Sequence, residues 1–335
     1  MHLKKLIAFI VVSLLIILSG FGLYFYYQLS PAGRGQEKIL CIERGESLAG
    51  TAYMLQKEGL IRSSKAFGYF ARLTGSEEKI KFGEYKISPK QSSPDILKQL
   101  VDGRVYMHLI TIPEGFTLKQ IAKRLANEKI VPEEDFLYLA SNNTDIAISD
   151  YTPPTLEGYL FPDSYYFSKD SPAKDVINTF VNMFKKKILP LYEAAKKDND
   201  KLMSLEDIIK LASIVEAETQ LDTERPVVAS VYYNRLNKHI LLQCDATIQY
   251  ILSERKINIR YSDLAIDSPY NTYLYPGLPP TPICNPGIAS VEACLYPEKT
   301  QFLYFVRNDK KGDGSHIFSK TYIEHLKAID SHQLY

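Results

Sequence analysis

The chain has 335 residues, 45% hydrophobic and 24% charged, which is enough apolar material for two or three buried cores and too much for a disordered chain. Forty basic residues against 39 acidic ones leave a net charge of +1, so no broad positive field favours nucleic acid. Tryptophan is absent, but 24 Tyr offer an apolar face and a hydroxyl together, one use of which is sugar binding.

The first element in chain order is apolar. After a short tail, residues 1–5, with Lys4 and Lys5, the run from Leu6 to Tyr27 carries no charge. At ~1.5 Å per residue it is long enough to cross a ~30 Å hydrocarbon layer, and it reads as a transmembrane helix over 6–27. A cleaved signal peptide has a shorter apolar region, ~7–15 residues, and an A-x-A-like site that is not found here. Lysines before the span favour a cytoplasmic N-terminus, and Tyr24, Tyr26 and Tyr27 suit the far interface. The cytoplasmic membrane is therefore the first expected partner, and everything after Ser30 is expected outside it, in the periplasmic direction.

The next stretch repeats itself. Shifting "IERGESLAGTAYMLQKEGLI" (42–61) by seventy positions lays it on "IPEGFTLKQIAKRLANEKIV" (112–131): Gly45 meets Gly115, Leu48 meets Leu118, Ala52 meets Ala122 and Leu55 meets Leu125. Each copy predicts a short strand, a glycine turn, and Ser47 or Thr117 as the cap of an amphipathic helix, with a second helix after it. The copies span 38–105 and 106–145. Together, 38–145 form a small α+β module that resembles the LysM-like fold of peptidoglycan-binding modules, either holding glycan or acting as a spacer.

The polar stretch "SNNTDIAISDYTPP" (141–154) predicts a domain boundary, and 150–335 read as an α-rich domain with helices near 172–197, 204–217 and 222–237 and a few short strands. The overall expectation is an α+β chain: one membrane helix, one repeated module and one α-rich domain. Along that last domain come "LEGYLFPDSYYF" (156–167), "LASIVEAET" (211–219), "RPVVASVYYNRL" (225–236), "LQCDATIQY" (242–250), "SPYNTYLYPGLPPTPICNPG" (268–287) and "FVRNDKKGDGSHIFSKTYIEH" (305–325). In this order they resemble the YceG-like family of endolytic murein transglycosylases, and the resemblance covers nearly the whole chain.

That resemblance implies a membrane-anchored lytic transglycosylase of the inner membrane with a lysozyme-like catalytic domain. It would cut the MurNAc-GlcNAc bond within peptidoglycan glycan strands, leave 1,6-anhydro-MurNAc ends and terminate or trim nascent strands. No cofactor and no metal is implied. Peptidoglycan synthases are the further partners that such an enzyme would meet. On the family motif the catalytic acid maps onto Glu216, with Glu218 as a supporting second acid. The sequence departs from the family at Ala217, where a charged residue is common, and at Cys244, where a hydroxyl residue is more usual.

The residues alone leave the two glutamates open. An acid working near neutral pH needs an apolar setting that lifts its pKa, and Glu216 follows the buried stripe of Ile208, Ala212 and Val215. Glu218, with Asp222 and Glu224, equally reads as a solvated acidic cluster in which Asp222 caps the next helix before Pro226. Glu157 and Tyr159 are expected to shape the cleft, with Phe161 and Tyr165 as further sugar-stacking candidates. Gln243 and Asp245 flank Cys244 at a helix start, with Asp245 a good N-cap. Asn271, Thr272 and Tyr273 combine the amide, hydroxyl and aromatic groups that an N-acetylated sugar requires, in a loop stiffened by proline. His316 lacks histidines at ligand spacing, so a structural or groove hydrogen bond is expected rather than a metal. The four cysteines show no CxxC spacing and are expected as buried free thiols.

Two other functions compete. A glycoside hydrolase needs a second carboxylate, which Asp222, Glu224 or Asp245 could supply. A non-catalytic wall-binding scaffold needs none. The topology is testable apart from function: protease added to spheroplasts should remove everything beyond about residue 31, and an intact, protected chain would refute the orientation.

Overall fold

The computed structural model describes residues 2–252, 254 and 256–332, which cluster into two compact units: 1–108 with 166–170, and 109–165 with 171–335. The architecture is mixed helix and sheet, with three two-stranded sheets among the described residues.

The smaller unit begins with α1 (His2–Leu29), whose side chains from Leu6 to Tyr27 are uncharged and mostly exposed, with Leu29 buried at its end. Such a helix can cross a membrane or serve as a signal sequence. Its last turn is tied down by Arg62, which donates to the Tyr27 hydroxyl at 3.1 Å and lies 4.5 Å over its ring. Then come β1 (Lys38–Ile42), α2 (Leu48–Lys57), α3 (Ser64–Leu73) and β2 (Gly83–Ile87). β1 and β2 pair antiparallel, with Lys38 opposite Ile87 and Cys41 opposite Glu84. Leu55, Phe67, Tyr85 and Ile87 fill the space between sheet and helices, and α4 (Ser93–Asp102) closes it with Ile96 and Leu100.

The second copy follows seventy residues on. β3 (His108–Thr111), α5 (Leu118–Asn127), α6 (Glu133–Ser141) and β4 (Ser164–Phe167) repeat the strand–helix–helix–strand order. Ser47 accepts from Gly50 N and Thr117 from Gln120 N, the same cap at the same place. Gly45 and Gly115 take φ of +84° and +75°, which the turn between strand and helix demands and side chains disfavour. Leu55 and Leu125 are both fully buried. The first copy lies in the smaller unit and most of the second in the larger, with His108 and the end of β4 counted in the smaller; the compact division comes at His108, with the chain returning at 166–170, and 141–154 lies inside the larger unit.

The rest of the larger unit is helical: α7 (Ala173–Asp198), α8 (Leu205–Glu218), α9 (Arg225–Asn237), α10 (Asp245–Ile251), the short α11 (Tyr261–Leu264) and α12 (Ile288–Leu295). An antiparallel pair follows, β5 (Tyr304–Arg307) and β6 (His316–Ser319), and then α13 (Tyr322–His332). α8 is the central element. Ile208, Ile209, Leu211, Ala212, Ile214 and Val215 are all buried, and α9, α10 and α12 pack around it. The last turn of this buried helix holds the two glutamates, on either side of the exposed Ala217.

Leu55→Ala and Leu125→Ala should each cost about 2–5 kcal/mol, as for a buried leucine whose space cannot collapse. Hydrogen exchange read by mass spectrometry should rise within 38–105 for the first variant and within 109–145 for the second. A shared pattern would mean that the copies open as one body.

Candidate functional site

Glu216 and Glu218 share a helix end but not an environment. Glu216 points to a closed cluster. Arg225 Nη1 lies 3.2 Å from its Oε1, while Gly287 N and Ser290 Oγ each donate to its Oε2 at 2.9 Å. Only 7% of the Glu216 side chain and 6% of the Arg225 side chain are exposed, so this is a buried ion pair with its lone pairs filled. Arg225 also donates to Asp222 at 2.9 Å and to Ser290 Oγ. Glu114, from the turn before α5, lies against Gly287. Burial, followed by the charge of Glu216, raises its carboxyl above the ordinary range.

Glu218 points elsewhere. Its Oε1 accepts from the Cys244 thiol at 2.9 Å and, more weakly, from Ala246 N at 3.5 Å, and among the described residues it forms no ion pair. The carboxyl is pushed up, first by desolvation and then by the charge of Asp245, against the opposing hydrogen bond from Cys244. Around it stand groups that solvent reaches. Asp245 is exposed and accepts from the Tyr273 hydroxyl at 2.5 Å; Gln243 is exposed, in a left-handed turn with φ of +49°. His316 is held by Glu224, through Nδ1 at 2.7 Å and through its backbone N at 2.9 Å. It makes the structural hydrogen bond expected of it.

Several expected contacts are corrected here. Tyr159 is 1% exposed and packs edge-on against Phe184, while Phe161 and Tyr165 are equally interior, so none of the three offers a face to a sugar. Glu157 is 3% exposed. It accepts from Leu118 N, Asn285 Nδ2 and Tyr250 Oη, and burial pushes its carboxyl up to about 8 against those donors. It caps α5 from within the core rather than lining a cleft. Asn271 is fully buried, donating to the Leu264 and Ile266 carbonyls and accepting from Tyr273 N. Thr272 accepts from Cys244 N and shares a hydrogen bond with Thr247. Both hold the loop together and have no group left for a ligand. Of the three, Tyr273 alone reaches the open side.

Two caps also differ. α9 starts at Arg225 with Glu224 in the capping position, and Asp222 is instead an exposed partner of Arg225. α10 is preceded by Cys244, so Asp245 is its first helical residue. The four cysteines are free; Cys244, Cys284 and Cys294 are buried and Cys41 is exposed. No group of histidines, cysteines and carboxylates among the described residues is arranged to hold a metal ion.

Sequence reasoning missed Arg225, Gly287, Ser290 and Asn285. Asn285, fully buried, is the keystone of the turn before α5: its Oδ1 accepts from Leu160 N, its Nδ2 donates to Phe116 O and Glu157, and its backbone carbonyl accepts from Gly115 N. One signal was available for Arg225. A basic residue in the first turn opposes the helix dipole, and such a placement points to a carboxylate partner.

The sequence profile of the YceG-like family matches residues 40–331. An endolytic murein transglycosylase of Bacillus subtilis is 33% identical, over 95% of this chain and 91% of that protein. Another, from Streptococcus pneumoniae strain D39, is 29% identical over 90% of this chain, which spans 61% of that relative's length. A crystal structure of a yceG-like protein from Listeria monocytogenes, 33% identical, aligns with a TM-score of 0.59 over 88% of this chain and 99% of its own.

The two carboxylates should separate in their effect on stability. Arg225→Leu leaves Glu216 buried without its cation and should cost about 3–5 kcal/mol, measured by urea unfolding. Glu218→Gln, at a site with open solvent beside it, should change stability by less than about 1 kcal/mol. Equal losses would mean that both glutamates are structural.

Proposed function

The chain belongs to the YceG-like family, and on that premise we propose that it is an endolytic peptidoglycan lytic transglycosylase in which Glu218, rather than Glu216, is the acid and then the base. One observation carries the choice. Glu218 is the glutamate that has no ion pair among the described residues and stands beside the exposed Gln243 and Asp245, and desolvation raises its carboxyl above the ordinary range, as an acid catalyst requires. Glu216 is neutralised by Arg225 and has both oxygens occupied, which suits a residue that fastens α8 to α9 and α12. The family motif pointed to Glu216; the surroundings favour its neighbour two residues on.

The reaction follows from one carboxyl. Protonated Glu218 gives its proton to the oxygen linking MurNAc to GlcNAc, the bond from that oxygen to C1 breaks, and positive charge gathers at C1. The substrate's own N-acetyl oxygen stabilises this charge. Glu218, now ionised, takes the proton of the C6 hydroxyl, whose oxygen closes onto C1 and leaves a 1,6-anhydro-MurNAc end. No water is consumed and the acid is regenerated. Gln243, Asp245 and Tyr273, the polar groups on the open side, replace Asn271 and Thr272 as the residues that orient the sugar.

The remaining parts fit this reading. The apolar N-terminal helix supports a membrane anchor with residues beyond it outside the cytoplasmic membrane. The strand–helix–helix–strand order of Lys38–Ile87 supports a LysM-like module that holds glycan, and the buried central α8 ending in an acid supports a lysozyme-like catalytic domain. Peptidoglycan synthases are the partners that such placement favours.

A second reading rests on Asp245, whose charge is felt at Glu218 from the first turn of α10. If it acted as a second catalytic carboxylate, the products would be hydrolytic. Mass spectrometry of digested glycan strands separates the two: anhydro ends support transglycosylation, and ends carrying an added water defeat it. Glu218→Gln should lower cleavage by at least the ~10²–10⁴ of a lost acid–base group, with Glu216→Gln retaining chemistry in its folded fraction. An active Glu218→Gln beside a folded but inactive Glu216→Gln would return the role to Glu216.

A further inference from the structure

The residue that touches Glu218 most closely is a cysteine. Cys244 precedes α10, is 1% exposed and sends its Sγ to Glu218 Oε1 at 2.9 Å. Behind it lies Tyr232, itself 2% exposed on α9, whose hydroxyl is set against the same sulfur. Cys244 N is fixed by Thr272 Oγ1 at 3.0 Å, and its carbonyl accepts from Thr247 Oγ1 at 2.7 Å. The backbone on both sides of the sulfur is thus clamped, and Tyr232, Cys244 and Glu218 form a buried polar chain that ends at the open side of the site.

From this geometry, and resting on the assignment of Glu218 above, we infer that Cys244 is a positioning residue: its S–H fixes the Glu218 carboxyl and sets how readily that carboxyl parts with its proton. The thiol serves as a donor and not as a nucleophile. Burial, with the Glu218 charge beside it, holds it well above the ordinary thiol range, so it stays protonated and can donate. An S–H is a weak donor. Donation to a carboxylate stabilises the ionised form, and a hydroxyl in the same place would do so more strongly. A thiol therefore holds the carboxyl in one orientation while withdrawing little of its acidity range. The other groups facing Glu218 are Asp245 from α10, His316 from β6, Tyr273 from the preceding loop and Tyr232 from α9. Asp245 raises the carboxyl and His316 lowers it.

The sign follows directly. The acid step needs protonated Glu218, so kcat/KM falls as pH rises through the value at which the free enzyme loses that proton. A stronger donor moves this basic limb to lower pH, and removing the donor moves it to higher pH. The test is the pH profile of the full-length, detergent-solubilised chain on peptidoglycan glycan strands, counting anhydro ends by mass spectrometry, for the parent, Cys244→Ser and Cys244→Ala. The basic limbs should order alanine above cysteine above serine. At a fixed pH on the parent's basic limb, Cys244→Ser should fall to between about a third and a tenth of the parent's kcat/KM, the scale of a strengthened hydrogen bond to a charged group. Identical limbs, or the reverse order, would overturn the inference. Should Cys244→Ala fail to fold, as read by circular dichroism, the serine variant decides alone, since it exchanges one atom and keeps the donor. Glu218→Gln serves as the control for the underlying assignment. If it is active, that assignment falls; if it is inactive while the Cys244 variants share one limb, only the role of Cys244 falls.

Discussion

Two residues along an α-helix turn the chain through about 200°, so side chains at i and i+2 leave on nearly opposite sides. At the end of α8 this rotation divides the acid chemistry of the molecule. Glu216 turns toward Arg225, Gly287 and Ser290, and Glu218 toward Cys244 and Ala246. Each side needs the other. An ion pair as dry as Glu216–Arg225 survives only with its remaining lone pairs filled, which locks α9 and the start of α12 against α8. That lock fixes the helix end on which Glu218 stands, and a fixed carboxyl can be desolvated by what surrounds it without being neutralised.

The second strand–helix–helix–strand copy belongs to this scaffold. Asn285 ties the turn at Gly115 and Phe116 to Leu160 and Glu157, and Glu157 in turn caps α5. The two copies are alike in sequence and in local structure and have parted in use. The first closes around its own core, with β1 paired to β2. The second lends its turn to the cluster around Glu216, where Glu114 rests against Gly287. A buried network of this kind rigidifies because every member is satisfied, and it fails together if one is removed.

What could be read from the sequence was local. The seventy-residue offset, the caps at Ser47 and Thr117, the glycine turns and the limits of α7 and α8 rest on neighbours within a few residues, and they hold in the structure. The choice between the glutamates rests on partners outside α8, Arg225 on the next helix and Cys244, Gly287 and Ser290 at 26, 71 and 74 residues, so no apolar stripe on α8 itself could decide it. The aromatic stretch around Tyr159 shows the same limit. Tyr can serve a sugar or a core, and the nearby Phe184 of α7 settles the matter for the core. Asn271 and Thr272 were misread for a related reason. A proline-rich loop lacks the backbone ladder of a helix or strand, so its own polar side chains must satisfy its peptide groups, and those side chains are then spent.

The return of the chain to the smaller unit at 166–170 has a consequence for synthesis. Lys169 in that returning segment reaches Glu84 at 2.7 Å, and Glu84 is also bound to His108 at 2.6 Å. Ribosomes deliver residues in order, so the smaller unit has its sheet and helices early and waits for the ion pair between Lys169 and Glu84 until residues 109–165 have been made. The smaller unit is therefore completed only after that stretch, and a chain stopped between 109 and 165 would carry an acidic Glu84 still lacking its lysine.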